Sequence, residues 1–68
     1  MKTEIIKHEV EAGNYVIVKA IDSADASIAA QDYLDDLPDN DTYEYEAKAA
    51  LETSEENTFR VDYNVYDR

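Results

Sequence analysis

The sequence predicts a small α+β domain, one antiparallel or mixed sheet with a single helix packed across one face, in the order strand, strand, helix, strand, strand. Three observations predict it. Two runs rich in Ile and Val are separated by a four-residue link, an apolar stripe at helical spacing follows them, and a strict alternation of apolar and polar residues occupies the last part of the chain.

The first strand is expected over residues 3–10 and the second over residues 15–21, joined by Glu11, Ala12, Gly13 and Asn14, which have hairpin chemistry. In the second run Val16, Val18 and Ala20 share one side while Tyr15, Ile17 and Ile21 share the other. A strand that is apolar on both faces belongs in the middle of a sheet. From Ser23 the period changes. Asp22 or Ser23 can cap a helix, Asp25 suits its positive end, and Ala26, Ala30, Tyr33, Leu34 and Leu37 line one side, which predicts a helix over residues 24–37. Pro38 cannot continue it, and Asp39, Asn40 and Asp41 are turn residues.

Residues 42–51 carry two signals. Tyr43, Tyr45, Ala47, Ala49 and Leu51 alternate as in a strand, yet Glu46, Ala47, Lys48, Ala49, Ala50 and Leu51 are good helix formers. The expectation is a strand at the start, with strand and a short helical turn both open over residues 47–52. Residues 53–57 read as a polar loop, and Phe59, Val61, Tyr63 and Val65 mark a last strand over residues 58–66. No repeat or second domain is visible, so residues 1–68 form one domain. With one helix, one sheet face keeps only partial cover, and the outer strands offer edges through which two copies can pair as a homodimer.

A 68-residue chain buries only about 60% of the surface its unfolded form exposes, so the core must be small. Its 44% hydrophobic residues and six tyrosines are nevertheless enough to fold rather than stay disordered. The absence of cysteine rules out a disulfide framework and fits the cytosol. No segment approaches the 18 or so consecutive apolar residues of a membrane span, and the N-terminal residues lead into no signal-peptide apolar region, so a soluble cytoplasmic protein is expected. The outlying quantity is charge. Seventeen acidic residues against six basic ones give −11, which repels anionic partners and points to a basic protein surface.

Enzymatic chemistry finds little purchase in this sequence. His8 is the only histidine, flanked by Lys7 and Glu9 in a strand, and reads as a structural residue rather than a general base. With one histidine and no cysteine, a zinc site is close to excluded. Read as a calcium loop from Asp39, the chain places Tyr43 at a ligand position, Glu44 where glycine is required and Ala50 where the bidentate glutamate belongs. Gly13 is the single glycine, so no phosphate loop exists, and Lys2, Lys7, Lys19, Lys48, Arg60 and Arg68 are spread singly, so no basic stripe for direct nucleic-acid binding exists. The expectation is a non-enzymatic protein without cofactor or metal.

The acidic residues have a pattern. Asp25, Asp32 and Asp36 lie along one face of the expected helix with Asp35 beside them, although like charges four apart oppose a helix by a few tenths of a kcal/mol. Glu44 and Glu46 point the same way along a strand, roughly 6.6 to 6.8 Å apart, and Asp39 and Asp41 extend that line. Duplex DNA carries one charge per ~3.4 Å of axis on each strand, and a stretch as long as this globule, about 28 Å, carries about 16 charges. The chain's −11 is of the same order. Tyr43, Tyr45 and Tyr66 are candidates to stand beside these carboxylates as interface anchors, whereas Tyr33 and Tyr63 read as core.

In profile, a very short, cysteine-free, acidic domain with a sheet, one helix and no active-site motif, the chain resembles the small phage-encoded inhibitors of bacterial defence, notably anti-CRISPR proteins and other DNA mimics. Asp25, Asp32, Asp35, Asp36, Asp39, Asp41, Glu44 and Glu46 carry the likeness, which spans the whole chain. The resemblance implies a partner such as a CRISPR effector, obstruction of target DNA, and residence in the host bacterial cytoplasm. Two other classes share the composition: an acidic antitoxin or regulatory subunit, and a halophilic-type housekeeping domain whose charge serves solvation.

Overall fold

The computed structural model describes residues 2–68. Its first unit is an antiparallel hairpin of β1 (Glu4–Glu9) and β2 (Tyr15–Lys19). The turn between them needs Gly13, whose φ of 135° is a conformation that side-chain-bearing residues rarely adopt. Pairing slips between Ile5 and Lys7, a β-bulge that leaves Ile6 without a cross-strand partner and 54% exposed.

Helix α1 (Ser23–Asp35) starts at Asp22, whose side chain accepts the Asp25 backbone N–H at 2.9 Å. It ends at Asp36, two residues before Pro38. Three further strands follow, β3 (Tyr43–Ala47), β4 (Leu51–Glu52) and β5 (Thr58–Asp67). The sheet order is β1-β2-β5-β3, all antiparallel, with β4 also against β5. The ten-residue β5 is the spine, because its first half pairs with β2 and β4 and its second half with β3.

Alternation decides the two faces. Val16, Val18 and Ala20 of the β2 segment and Phe59, Val61 and Tyr63 of β5 point to one side, where Ala26, Ala30 and Leu34 of the helix close on them. Alanines at two of these helix positions let the helix backbone sit close to the sheet. Tyr33 packs against this core and Tyr63 is in it, as the sequence predicts, whereas Val65 lies beyond the helix and is 39% exposed. The α+β architecture with one helix on one face is therefore the fold of this chain. Its Cα radius of gyration is 11.5 Å.

Residues 47–52 take the extended alternative. No helical turn forms there: Ala47 ends β3, and Leu51 and Glu52 are extended against β5. Three alanines and a lysine are too few to nucleate a helix. Their backbone groups also have other partners, since the Lys48 N–H donates to Asp62 O at 2.8 Å and the Ala50 N–H to Ser27 Oγ at 3.1 Å.

The helix also closes a sheet edge. The Gln31 carboxamide donates to Tyr45 O at 2.9 Å and accepts the Ala47 N–H at 2.9 Å, occupying the outward-facing backbone of β3 as a neighbouring strand would. The opposite edge, β1, carries the bulge and Lys7, two features that discourage further pairing.

Candidate functional site

The acidic residues singled out from sequence are all exposed, but the fold divides them between two surfaces. At about 100° per residue, Asp25, Asp32, Asp35 and Asp36 fall within about 100° of arc on the solvent side of α1, opposite Ala26, Ala30 and Leu34. Asp39 and Asp41 follow in the turn after the helix. Glu44 and Glu46 do not join this ridge. Their β3 neighbours Tyr43, Tyr45 and Ala47 face the helix side, so the two glutamates face the uncovered side of the sheet, where Glu46 Oε1 accepts from Asn64 Nδ2 and the Tyr66 hydroxyl, both at 3.4 Å. The expected continuous line from Asp39 to Glu46 is broken because strand alternation turns the glutamates away from the helix.

The tyrosines divide by the same rule. Tyr43 and Tyr45 are half-buried on the helix side. Tyr45 packs on the core, with its ring edge-on to Tyr63 at 5.7 Å, and its hydroxyl donates to Asp39 Oδ1 at 2.7 Å. Partial burial and then the Asp39 carboxylate push its pKa up to about 12. Its role is to position Asp39 rather than to present an aromatic face. Tyr66 is 47% exposed and stands across from Glu44, beside the carboxylates as expected but on the uncovered face.

The turn that carries Asp39 and Asp41 is held from several sides. Asn40 N donates to Leu37 O at 3.1 Å, and the Thr42 and Tyr43 N–H groups both donate to Asp39 O at 3.0 Å. Asn40 Nδ2 donates to Asp35 O at 2.8 Å. From the far end of the chain Arg68 Nε donates to Asn40 O at 2.6 Å and Tyr43 O at 3.1 Å. This guanidinium grips carbonyls, leaving the carboxylates of the turn unneutralised. Sequence gives no signal for it, because Arg68 and Asn40 meet only through β5.

Among the described residues the salt bridges are Lys7–Glu9 at 3.2 Å and Arg60–Asp62 at 3.1 Å, and neither touches the ridge. Nor does the last turn of α1 carry a basic residue. Three aspartates therefore crowd the negative end of the helix macrodipole, where stability alone favours cations. In the middle of the ridge sits Ile28, three residues after Asp25 and four before Asp32, with 60% of its surface exposed. An isoleucine off the apolar stripe was the signal available in the sequence.

His8 faces the helix side, half-buried, with Nε2 2.7 Å from the Tyr63 hydroxyl and Nδ1 3.1 Å from the Tyr33 hydroxyl. In the neutral ring one tyrosine donates to the bare nitrogen and the other accepts from the protonated one, so the histidine ties strand to helix. Among the described residues no group of three or more His, Cys, Asp or Glu side chains is arranged to hold a metal ion. Nor, among the described residues, is any helix long and apolar enough to cross a membrane. No family model matches the chain, and neither curated proteins nor solved structures give a match.

Proposed function

We propose that this chain is a non-enzymatic inhibitor that occupies a basic nucleic-acid-binding surface as a DNA or RNA mimic, in the manner of an anti-CRISPR protein that blocks target DNA. The observation that carries this reading is the ridge of Asp25, Asp32, Asp35, Asp36, Asp39 and Asp41, six exposed carboxylates that no described salt bridge neutralises and that continue from a helix into a braced turn. Along the helix axis Asp32 lies about 10 Å from Asp25 and about 6 Å from Asp36, from a rise of about 1.5 Å per residue, with Asp35 beside Asp36. A groove shaped for a phosphate backbone meets comparable charge density here, with no phosphodiester to cleave and no base to read.

Placement against the dipole supports a recognition role, since charge serving solvation alone has no reason to concentrate where it destabilises the helix. Ile28 adds what a nucleic acid backbone lacks, an apolar contact inside the charged ridge, and so a means to select one basic groove among many. The working compartment on this reading is the bacterial cytoplasm. The test is capture on the immobilised chain from a bacterial lysate at low salt, followed by elution with duplex DNA or single-stranded RNA. Release of a nucleic-acid-handling protein by the competitor supports mimicry, whereas a captured partner that ignores both competitors refutes it.

A further inference from the structure

Gln31 fills one edge of the sheet and the bulge with Lys7 guards another, but a third stretch of edge is open along the second half of β5. The Lys48 N–H donates to Asp62 O and the Arg68 N–H to Thr42 O, so Asp62, Asn64 and Tyr66 turn their backbone groups toward β3. Tyr63, Val65 and Asp67 turn theirs the other way. There β2 reaches only as far as Tyr15 opposite Asp62, and one further bond follows, from the Tyr63 N–H to Asn14 O at 3.1 Å. Past it the hairpin curls back on itself, with the Glu11 and Ala12 N–H groups bonded to Glu9 Oε2 at 3.2 and 3.3 Å. Val65 N–H, Val65 O and Asp67 N–H therefore face outward with no backbone partner among the described residues. On the helix side Val65 is 39% exposed, and on the uncovered side Tyr66 is 47% exposed.

We infer that this edge is a docking slot for an extended basic segment of another protein, which joins the sheet as a strand beside β5. The outward N–H and C=O groups supply its main-chain bonds, and charge fixes its kind. β3 and the second half of β5 hold Glu44, Glu46 and Asp67 with no lysine or arginine, and the adjoining turn over residues 10–14 adds Glu11 and no base. None of these four carboxylates is in a described salt bridge. The cations around them are engaged or set apart: Arg68 Nε is bound to Asn40 O and Tyr43 O on the β3 side, Lys7 is paired with Glu9, and Arg60, in the first half of β5, with Asp62. Lys48 follows β3 opposite Asp62, also away from the open stretch. Alternation then sets the pattern of the segment. Its residue opposite Val65 lies on the helix side and suits an apolar side chain, whereas the neighbours of that residue lie by the Tyr66 ring and Glu46, where lysine or arginine meets an aromatic face and a carboxylate. A second copy is a poor occupant, because pairing β5 with β5 sets −11 against −11 and puts an Asp67 at each end of the seam. The slot goes beyond the mimic reading, since it engages main chain rather than a phosphate-binding groove.

The test uses the whole chain, followed by amide hydrogen exchange in nuclear magnetic resonance, and as probe a capped peptide that alternates lysine and valine over about five residues, enough to span the open stretch. In the free chain the Val65 and Asp67 N–H groups should exchange faster than those of Asn64 and Tyr66, which pair with β3. The peptide should slow exchange at Val65 and Asp67 several-fold. N-methylation of its valines removes the donors aimed at β5 and should weaken it by roughly tenfold or more, and glutamate in place of lysine should do the same. Val65→Pro deletes the central donor at a position whose N–H β3 does not use, so circular dichroism should be retained while the peptide no longer protects Asp67. Three results each overturn the inference: no protection at Val65 and Asp67 at millimolar peptide, equal binding by the N-methylated or the glutamate peptide, or protection that grows with the concentration of the chain alone, which puts a second copy in the slot. No nucleic acid enters the measurement, so its failure leaves the mimic reading standing, and a failed competition with DNA or RNA leaves the slot standing.

Discussion

The Tyr45 hydroxyl donates to Asp39 Oδ1 at 2.7 Å, which ties a residue of the acidic turn to the aromatic edge of the core. The bond has a spectroscopic signature, because the Tyr45 pKa is pushed up to about 12 and that of Tyr63 is pushed upward too, by burial first and then by the nearby Tyr33 and Asp39. Tyr45 is expected to give a step near pH 12 in an ultraviolet titration, and Tyr45→Phe to remove it. A folded pKa raised above the unfolded value of about 10 contributes stability that is complete below pH 10 and is lost as pH rises toward 12. The parent chain should therefore lose this contribution to its stability through that window. A titration with no step near pH 12 would show that the bond does not hold in solution.

Gln31 is expected to be more than a polar surface residue of the helix. Gln31→Ala strips Tyr45 O and Ala47 N of their side-chain partner and reopens the β3 edge, with an expected loss of about 1 to 3 kcal/mol in urea unfolding. The opened edge should also raise concentration-dependent light scattering. Gln31→Glu retains the acceptor for Ala47 N but sets a carboxylate against Tyr45 O, so it is not expected to rescue the edge.

Leu34 is the largest of the side chains wholly removed from solvent, and it belongs to the core cluster that the helix shares with β2 and β5. Leu34→Ala should cost about 2 to 5 kcal/mol, a large part of the stability a domain of this size can have. The melting temperature should fall by at least about 8 °C. Ile28→Ala, on the opposite side of the same helix, removes no core contact and should leave the melting temperature almost unchanged, so a loss of target binding in that variant reports on the surface alone.

Which parts of this fold are legible in the sequence follows from where the deciding interactions lie. The hairpin, the helix and β5 are set by local period and by Gly13, Asp22 and Pro38, so they can be read residue by residue. Residues 47–52 cannot, because Ser27 and Asp62, each more than ten residues away, take the backbone bonds a helical turn needs. The acidic site is legible in part. Alternation along β3 already places Glu44 and Glu46 opposite Tyr45, but that Tyr45 belongs to the helix side is fixed by its pairing with Val65 and its packing on the core. Arg68 gripping Asn40 O, and Gln31 closing β3, are tertiary contacts with no local sequence signature.

Stability and recognition should respond in opposite directions at the end of the helix. Asp32 and Asp36 lie in the last turn and at its cap with no basic neighbour in that turn, and both side chains are exposed. Neutralising them as Asp32→Asn with Asp36→Asn relieves the unfavourable interaction with the macrodipole and should raise stability by about 0.3 to 1 kcal/mol per charge at low ionic strength. If the ridge is the surface that competes for a basic groove, the same double variant should bind its target several-fold more weakly, with further loss when Asp35 and Asp39 are also neutralised and no single position abolishing binding. Affinity of the parent should also fall as salt rises, while its fold persists in dilute buffer. A domain whose acidity serves only high-salt solvation behaves the other way, melting in dilute buffer and showing no partner to lose. Measuring urea midpoints and target affinity on one set of variants at two salt concentrations separates the two. Parallel changes in stability and affinity would mean that the carboxylates act through the fold rather than at an interface.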